Sequence, residues 1–351
     1  MKTFSFVEND LAIIEALQYA PRAPWSAIGE AVDLTASTTA KRWDHLLAAG
    51  VAWSTATFRP GARSNSVLVA YVSIVCEPGS KLAVGAELAN DHHALSVDIT
   101  SGLSDLFVTV AAPNMRTLTR YLLERIDRIP GVVSSRPNIA SQLFTEGSAW
   151  RLGVLSPDQL EILRDWRPRI PNEVSMTFEE RDHDTLMQLG YNGRASYASL
   201  AVITGNSEAT ARRQAERLLK SGLILIRTEL AAPLAGWPIS VLMSANVPSS
   251  RLEEVARTLS RLRQVRLCTT LAGSPNLKLV AWLHDIAEVH RFEMSLSKGV
   301  AGLEITDRQI VLKSIKRMGR LLDEDGRAIR YIPMDIWRDP ISHPSGIPEQ
   351  E

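Results

Sequence analysis

Between residues 10 and 52 the apolar positions recur every three or four residues, then give way to a β-branched run. Ile13, Ile14 and Leu17 form one stripe, which predicts a helix over Asp10–Tyr19. Pro21 and Pro24 interrupt the chain. A short helix is predicted over Trp25–Val32, with Asp33 at the turn. Thr35 is placed to cap a third helix, which Gly50 ends through a left-handed terminating conformation. Val51–Phe58 reads as a strand. The same succession returns 172 residues later without a gap, over Asp182–Ile224. Identities include Asp10/Asp182, Arg22/Arg194, Thr38/Thr210, Leu46/Leu218 and Gly50/Gly222. In the second copy Tyr197–Thr204 is the short helix, Ser207 the cap, and Leu223–Leu230 the strand. Helix, short helix, turn, capped helix and hairpin is the winged helix-turn-helix plan.

A second pattern follows each copy. After the first come strand Leu68–Cys76, helix Ser80–Asn90, strands Leu95–Thr100 and Asp105–Ala111, helix Asn114–Arg128 and strand Val132–Leu143. After the second come Ile239–Val247, Ser249–Arg263, Val265–Leu271, Leu277–Leu283, Asp285–Leu296 and Leu303–Ser314. Both are βαββαβ, the ferredoxin-like order. Such a sheet carries helices on one face, so the other must be covered. We expect the two open faces to pair, within a chain or between chains, and expect at least a dimer of chains. The predicted fold class is α+β, with two tandem units. The expected divisions are a winged helix-turn-helix over 5–60, a ferredoxin-like domain over 66–144 and a connector over 145–177. A second winged helix-turn-helix then spans 178–231, a second ferredoxin-like domain 237–314, and an extension 315–351, whose last stretch, Asp339–Glu351, should fray.

Composition narrows the function classes. The 351 residues carry 39 basic and 39 acidic side chains, so a chain basic throughout is excluded but a local basic patch is not. No apolar run approaches the roughly 20 residues of a membrane helix, and Met1–Asp10 has no apolar signal core. Two cysteines make no disulfide framework or thiolate metal site. The expectation is a cytoplasmic protein with no membrane partner, no metal and no cofactor. No P-loop, G-x-S-x-G, H-E-x-x-H or C-x-x-C motif occurs. Among seven histidines only His92-His93 is clustered, at the end of a predicted helix; adjacent rings diverge by about 100° there, so the pair reads as a solvated helix terminus.

The third helix of each copy carries the chemistry expected of a nucleic-acid reader. In Ser207–Gly222, Arg212, Arg213, Arg217 and Lys220 outnumber Glu208 and Glu216, a net +2. Thr35–Gly50 has Lys41 and Arg42 against Asp44, a net +1. Ala211, Ala215 and Leu218 fall on the inner stripe. Ala209, Thr210 and Arg213 then lie nearest the bases of double-stranded DNA, and Arg217 and Lys220 nearest phosphates. The first copy offers Ser37, Thr38, Lys41 and Arg42, and the stronger charge of the second copy predicts that it dominates affinity.

The run Ser207-Glu208-Ala209-Thr210-Ala211-Arg212-Arg213, with its Lys220-Ser221-Gly222-Leu223-Ile224 exit, resembles the recognition helix of the Lrp/AsnC family. The glycine turns Ser101-Gly102-Leu103-Ser104-Asp105 and Ala272-Gly273-Ser274-Pro275-Asn276 resemble the turn in that family's ligand-binding domain. The resemblance implies a DNA-binding transcriptional regulator that answers to a small effector such as an amino acid, here in a double-length form. A glycine turn lets backbone approach a ligand and free N–H groups receive a carboxylate. Ser101, Gly102, Ser104, Asp105, Gly273, Ser274 and Asn276 are therefore the candidate effector residues. Asp105 is placed for an amino group, and the second turn lacks that carboxylate, which predicts one ligand per chain. Two other readings remain: a siroheme decarboxylase-like enzyme, whose kind shares this organisation and would rest on histidines, and a winged-helix scaffold without DNA binding.

Overall fold

A computed structural model describes residues 4–59, 67–169, 171 and 178–341. Predicted features that fall on 60–66, 172–177 and 342–351, His343 among them, lie outside the described residues.

The first repeat folds as α1 (Glu8–Tyr19), α2 (Trp25–Ala31), α3 (Ala36–Ala48) and β1 (Ala52–Phe58). There follow β2 (Leu68–Cys76), α4 (Lys81–Ala89), β3 (Ala94–Thr100), β4 (Leu106–Ala112), α5 (Met115–Arg120) and β5 (Val132–Thr145). The helix predicted to reach Arg128 is α-helical only to Arg120; a π turn (Tyr121–Arg125) and a 3-10 turn (Ile126–Arg128) complete it. The connector holds α6 (Pro157–Ile162), opened by Ser156 and Gln159 as a capping box. The second half runs α7 (His183–Tyr191), α8 (Tyr197–Thr204), α9 (Glu208–Lys220), β6 (Ile224–Leu230), β7 (Ile239–Asn246), α10 (Leu252–Leu259), β8 (Val265–Leu271), β9 (Leu277–Leu283), α11 (Ile286–Gly299) and β10 (Glu304–Arg317). A short hairpin of β11 (Arg320–Leu322) and β12 (Ala328–Tyr331) extends β10.

The expected wing hairpins are replaced by something else. β1 and β6 pair with each other, antiparallel, from Ala52↔Leu230 to Phe58↔Ile224. Each three-helix unit thus gives one strand to a shared ribbon, which satisfies backbone groups that neither strand alone could pair. The central partners, Thr55 and Arg227, are equivalent positions of the 172-residue repeat, so the ribbon has an internal twofold axis. A reciprocal clamp surrounds it. The Arg22 guanidinium donates to the carbonyls of Gly193 (2.8 Å) and Ala195 (3.1 Å). Arg194 donates to those of Pro21 (2.6 Å) and Ala23 (2.9 Å).

The sheets close on the same axis. In each ferredoxin-like unit the last strand is long and switches partners along its length. Val132–Ile139 of β5 pairs with β2, and Ala140–Thr145 pairs with β8 of the other unit. Glu304–Ile310 of β10 pairs with β7, and Val311–Lys316 with β3. The strands therefore run β3-β4-β2-β5-β8-β9-β7-β10 and return to β3 as a closed antiparallel ring. Val72, Ile74 and Val108 of the strands pack with Leu118 of α5 in one core outside the ring, and Val241, Met243 and Leu279 with Phe292 of α11 in another. Inward-facing residues of both sheets meet in the middle, as expected, and they do so within one chain. The open faces are covered by this closure, so they give no reason to expect a second chain.

The connector is packed. Trp150 meets Trp237 and Trp282 edge-on, and the buried Glu15 of α1 accepts backbone N–H groups from Gly153 (2.9 Å), Val154 and Leu155 (2.8 Å).

Candidate nucleic-acid face and interior cleft

The third helices begin alike. Thr35 Oγ1 accepts from Thr38 N, and Ser207 Oγ from Thr210 N, each at 3.2 Å. These caps fix the first turn and leave it facing solvent. Ser37, Thr38 and Lys41 are exposed on α3, as are Ala209, Arg212, Arg213 and Lys220 on α9, with Thr210 half-buried. The cations are not equally available. Arg217 pairs with the fully buried Asp182, and Arg42 with the buried Asp10 at 3.0 Å, so each ties its third helix to its first. Arg212 and Lys220 both pair with Glu216. Among the described residues Arg213 bonds only the Thr210 hydroxyl (3.2 Å), and Lys41 has no ion-pair partner. Lys41 and Arg213 are equivalent positions of the repeat, so the two helices present more similar faces than the net charges of +1 and +2 imply.

The glycine turns are occupied by the chain itself. Ser101 Oγ accepts from Ile310 N (2.9 Å), Ser104 Oγ donates to Gln309 Oε1 (2.9 Å), and the Asp105 carboxylate accepts from Cys76 N (2.9 Å) and Lys81 Nζ (3.2 Å). A Cβ added to Gly102 would lie 3.4 Å from Gln309 and 3.5 Å from Arg308 of β10. In the second turn Ser274 donates to Asn246, and Asn276 exchanges two bonds with the backbone of Val247; a Cβ on Gly273 would meet open space. The predicted effector groups thus splice strands together in this conformation, with Asp105 bound to a lysine rather than held open for an amino group.

A cleft that the sequence reading missed lies where the β1–β6 ribbon meets the two sheets. Its empty space, the part open to solvent included, is about 930 Å³. Arg227 of β6, Arg266 of β8 and Arg317 of β10 line it, together with Trp282, Asp98 and Glu146. Arg266 reaches both carboxylate oxygens of the fully buried Glu229 at 2.6 Å, and Arg227 pairs with Glu229 and with Glu146 (2.9 Å). The Arg266 guanidinium lies 3.8 Å from the Trp282 ring centroid and that of Arg317 lies 5.0 Å from it. Burial pushes Arg266 down to about 9, helped by Arg227 and Arg317 and opposed by Glu229. Burial also raises Asp98, against the pull of Arg317 and of the Ser314 hydroxyl. Gly147 sits against Arg227 and Arg266 where any Cβ would collide with both guanidiniums. No periodic pattern announces this set, because its members come from three distant strands; an arginine at an inward strand position is the only trace each leaves.

His92 and His93 are corrected by the structure. They are buried, not a solvated terminus, at 6% and 2% exposure. His92 Nδ1 bonds Pro333 O (2.8 Å) and Arg338 donates to its Nε2 (3.1 Å), while His93 stacks on Tyr121. Neither lines the cleft. No metal-competent group of His, Cys, Asp and Glu occurs among the described residues.

Residues 8–47 match the AsnC-type helix-turn-helix domain, and residues 69–149 and 240–321 each match the Lrp/AsnC ligand binding domain. The chain belongs to the Lrp/AsnC family. The helix-turn-helix match falls on the first copy, whereas the sequence reading placed the family's recognition-helix run in the second. Similar proteins include uncharacterised HTH-type transcriptional regulators of Pyrococcus furiosus (28% identical; 40% of this chain, 95% of that one) and Pyrococcus horikoshii (28%; 43% and 95%). Each spans less than half of this double-length member. Among solved structures, the siroheme decarboxylase NirDL in co-complex with an iron-uroporphyrin III analogue covers 95% of this chain and 97% of its own. Its TM-score is 0.54 at 13% identity, a likeness of fold.

Proposed function

We propose that this Lrp/AsnC member is a transcriptional regulator in which one chain does the work of a dimer: two tandem helix-turn-helix units read double-stranded DNA, and a small effector governs them. The observation that carries this reading is the twofold pairing of two capped, solvent-facing helices through the β1–β6 ribbon and the Arg22/Arg194 clamp. Twofold-related readers suit a palindromic site with half-sites one helical turn apart. In this reading Thr38, Lys41, Thr210 and Arg213 approach base edges and nearby phosphates, and Arg212 and Lys220 exchange Glu216 for phosphate. Arg42 and Arg217 serve mainly to brace their helices. Both copies contribute, rather than the second alone.

The test is selection of binding sites from random duplex DNA, then titration of the selected site at several salt concentrations. Sequence-selective, salt-dependent binding is expected, weakened by Lys41→Ala and by Arg213→Ala to within a factor of a few of each other. Loss confined to one of the two would restore a single reading helix. A second reading is a siroheme decarboxylase-like enzyme, favoured by the extent of the fold likeness. Against it, no histidine lines the cleft among the described residues. A tetrapyrrole absorbance spectrum retained by the purified protein after siroheme addition, with no selected DNA site, would support that reading instead.

A further inference from the structure

We infer that the interior cleft is a binding site for a small organic acid with an apolar body, its carboxylate held by Arg317 and Arg266. The inference deepens the proposed regulation by placing its effector, but its test needs no DNA.

Three observations point to a ligand rather than to a structural ion-pair network. The first is unspent donors. Arg227 Nε, Arg266 Nη1 and Arg317 Nη1 are buried and make no hydrogen bond to the protein, although Arg227 and Arg266 are only 8% and 5% exposed. A network evolved only for packing would satisfy them, since each buried orphan is costly. The second is the carboxylate count. Glu229 is shared by Arg227 and Arg266, and Glu146 takes Arg227. Among the described residues Arg317 has no carboxylate of its own: its Nη2 donates to Ser314 Oγ (3.1 Å), which in turn donates to Asp98 (2.6 Å). Asp98, pushed toward its neutral form by burial, is the remaining acid facing the cleft. A planar guanidinium fork with free N–H groups matches a carboxylate.

The third is broken symmetry. At the equivalent positions of the first unit, matched through the strand registers, Arg227, Arg266, Trp282 and Arg317 become Thr55, Leu95, Ala111 and Glu146. Leu95 and Ala111 line the same cleft, beside Phe58, Val67 and Met318. The three guanidiniums therefore all come from one unit, while the other supplies the apolar Leu95, Ala111, Phe58 and Val67 beside the acids Asp98 and Glu146, so the cleft offers a cationic end and an apolar wall to one occupant. It also limits the chain to one such site. Because Arg227 belongs to the ribbon that joins the two reading helices, an occupant would press on the element whose geometry sets their spacing.

The experiment measures binding to the full chain by calorimetry and by tryptophan fluorescence, with 3-phenylpropionate, 3-phenylpropan-1-ol and 3-phenylpropylamine as probes. The acid is expected to bind at one equivalent per chain and at least tenfold tighter than the alcohol. Arg317→Gln should lower the acid's affinity at least tenfold and leave that of the alcohol within twofold; Arg317→Lys, which keeps the charge without the fork, should fall between. Equal binding of acid and alcohol, tightest binding of the amine at Asp98, an Arg317→Gln variant that binds the acid as well as the wild type, or no binding of any probe would each overturn the inference. Acid binding by a chain that selects no DNA site would leave this inference standing and sink the regulatory reading alone.

Discussion

Thr55 and Arg227 face each other at the centre of the β1–β6 ribbon, and they are the same position of the repeat. Thr55 Oγ1 donates to Gly190 O at 2.6 Å, a local bond that pins the ribbon to α7. Arg227 instead leaves the helix-turn-helix layer and pairs with Glu146 and Glu229. One twofold axis thus carries two chemistries: a neutral bond on one side and a buried charge network on the other. Replacing Arg227 by threonine would restore symmetry at the cost of that network. We expect Arg227→Thr to destabilise the fold by about 3–5 kcal/mol, since it leaves buried carboxylates short of a cation. Arg227→Thr/Glu146→Gln should recover part of the loss, and urea titration of both variants checks it. A double variant no more stable than the single one would show that Glu146 does not feel Arg227.

The reciprocal clamp predicts a symmetric pair of phenotypes. Arg22 lies 5.2 Å from the Tyr197 ring and Arg194 4.0 Å from that of Trp25, each while bonding two carbonyls of the other copy. Arg22→Ala and Arg194→Ala should each cost about 1–3 kcal/mol, from lost charge-assisted bonds and stacking. They should also weaken binding to a site with two half-sites more than to one half-site, because neither arginine lies on the reading helices. Gel-shift titrations on the two duplexes separate these effects. Equal losses on both would mean that the clamp stabilises the fold without setting the spacing.

Glu15 predicts a connector-specific effect. It is 2% exposed, and its carboxylate receives three successive backbone N–H groups from the connector. Hydrogen bonds to a charged acceptor contribute about 1.5–3 kcal/mol each and do not add fully. Glu15→Ala should therefore cost about 3–5 kcal/mol, and Glu15→Gln less, since its amide oxygen can still accept. Thermal melts and protease cleavage between Ser148 and Ser156 report on it; a connector cut no faster in Glu15→Ala would place its anchorage in Trp150 instead.

These positions show why the fold was legible and the cleft was not. The stripe Ile13, Ile14 and Leu17, the caps Thr35 and Ser207, and the alternation through Leu68–Cys76 are local signals, repeated in register, and the elements form close to where they point. Partner choice is not local. Nothing in Val51–Phe58 says that it pairs with β6 rather than folding into a wing, because either pairing satisfies the same backbone groups. The length of β5 is visible, but its switch from β2 to β8 at Ile139–Ala140 is a property of the closed ring. Arg227, Arg266 and Arg317 are far apart in sequence and meet only through that closure. Ser101, Ser104 and Asp105 fit a ligand turn by type, but β10 arrives from the other unit and takes the bonds of the two serines, while Cys76 and Lys81 of its own unit take those of Asp105.

His93 gives the last prediction, on acid stability. Burial, then the neighbouring His92, pushes its imidazole from 6.5 down to about 4, so the folded chain holds it neutral. His92 is lowered too, first by burial and then by Arg338. In the unfolded chain both rings take up a proton near 6.5. Above that pH neither state is protonated, and the histidines contribute their full share of stability. As pH falls from about 6.5 toward 4 the unfolded state binds protons that the folded state refuses, so stability declines through this window. Below the folded-state value both states are protonated and the decline from His93 ends. Lys316, buried and pushed down to about 7, titrates between there and its ordinary 10.5, and so does not blur the window. Carboxylates begin to protonate at its lower end, which a variant can subtract. His93→Phe, stacked on Tyr121 in the same place, should lose less stability than the wild type between pH 6.5 and 4.5 while matching it within about 1 kcal/mol at pH 7.5. Parallel stability curves for the two proteins across that range would mean that His93 is solvated enough to titrate normally.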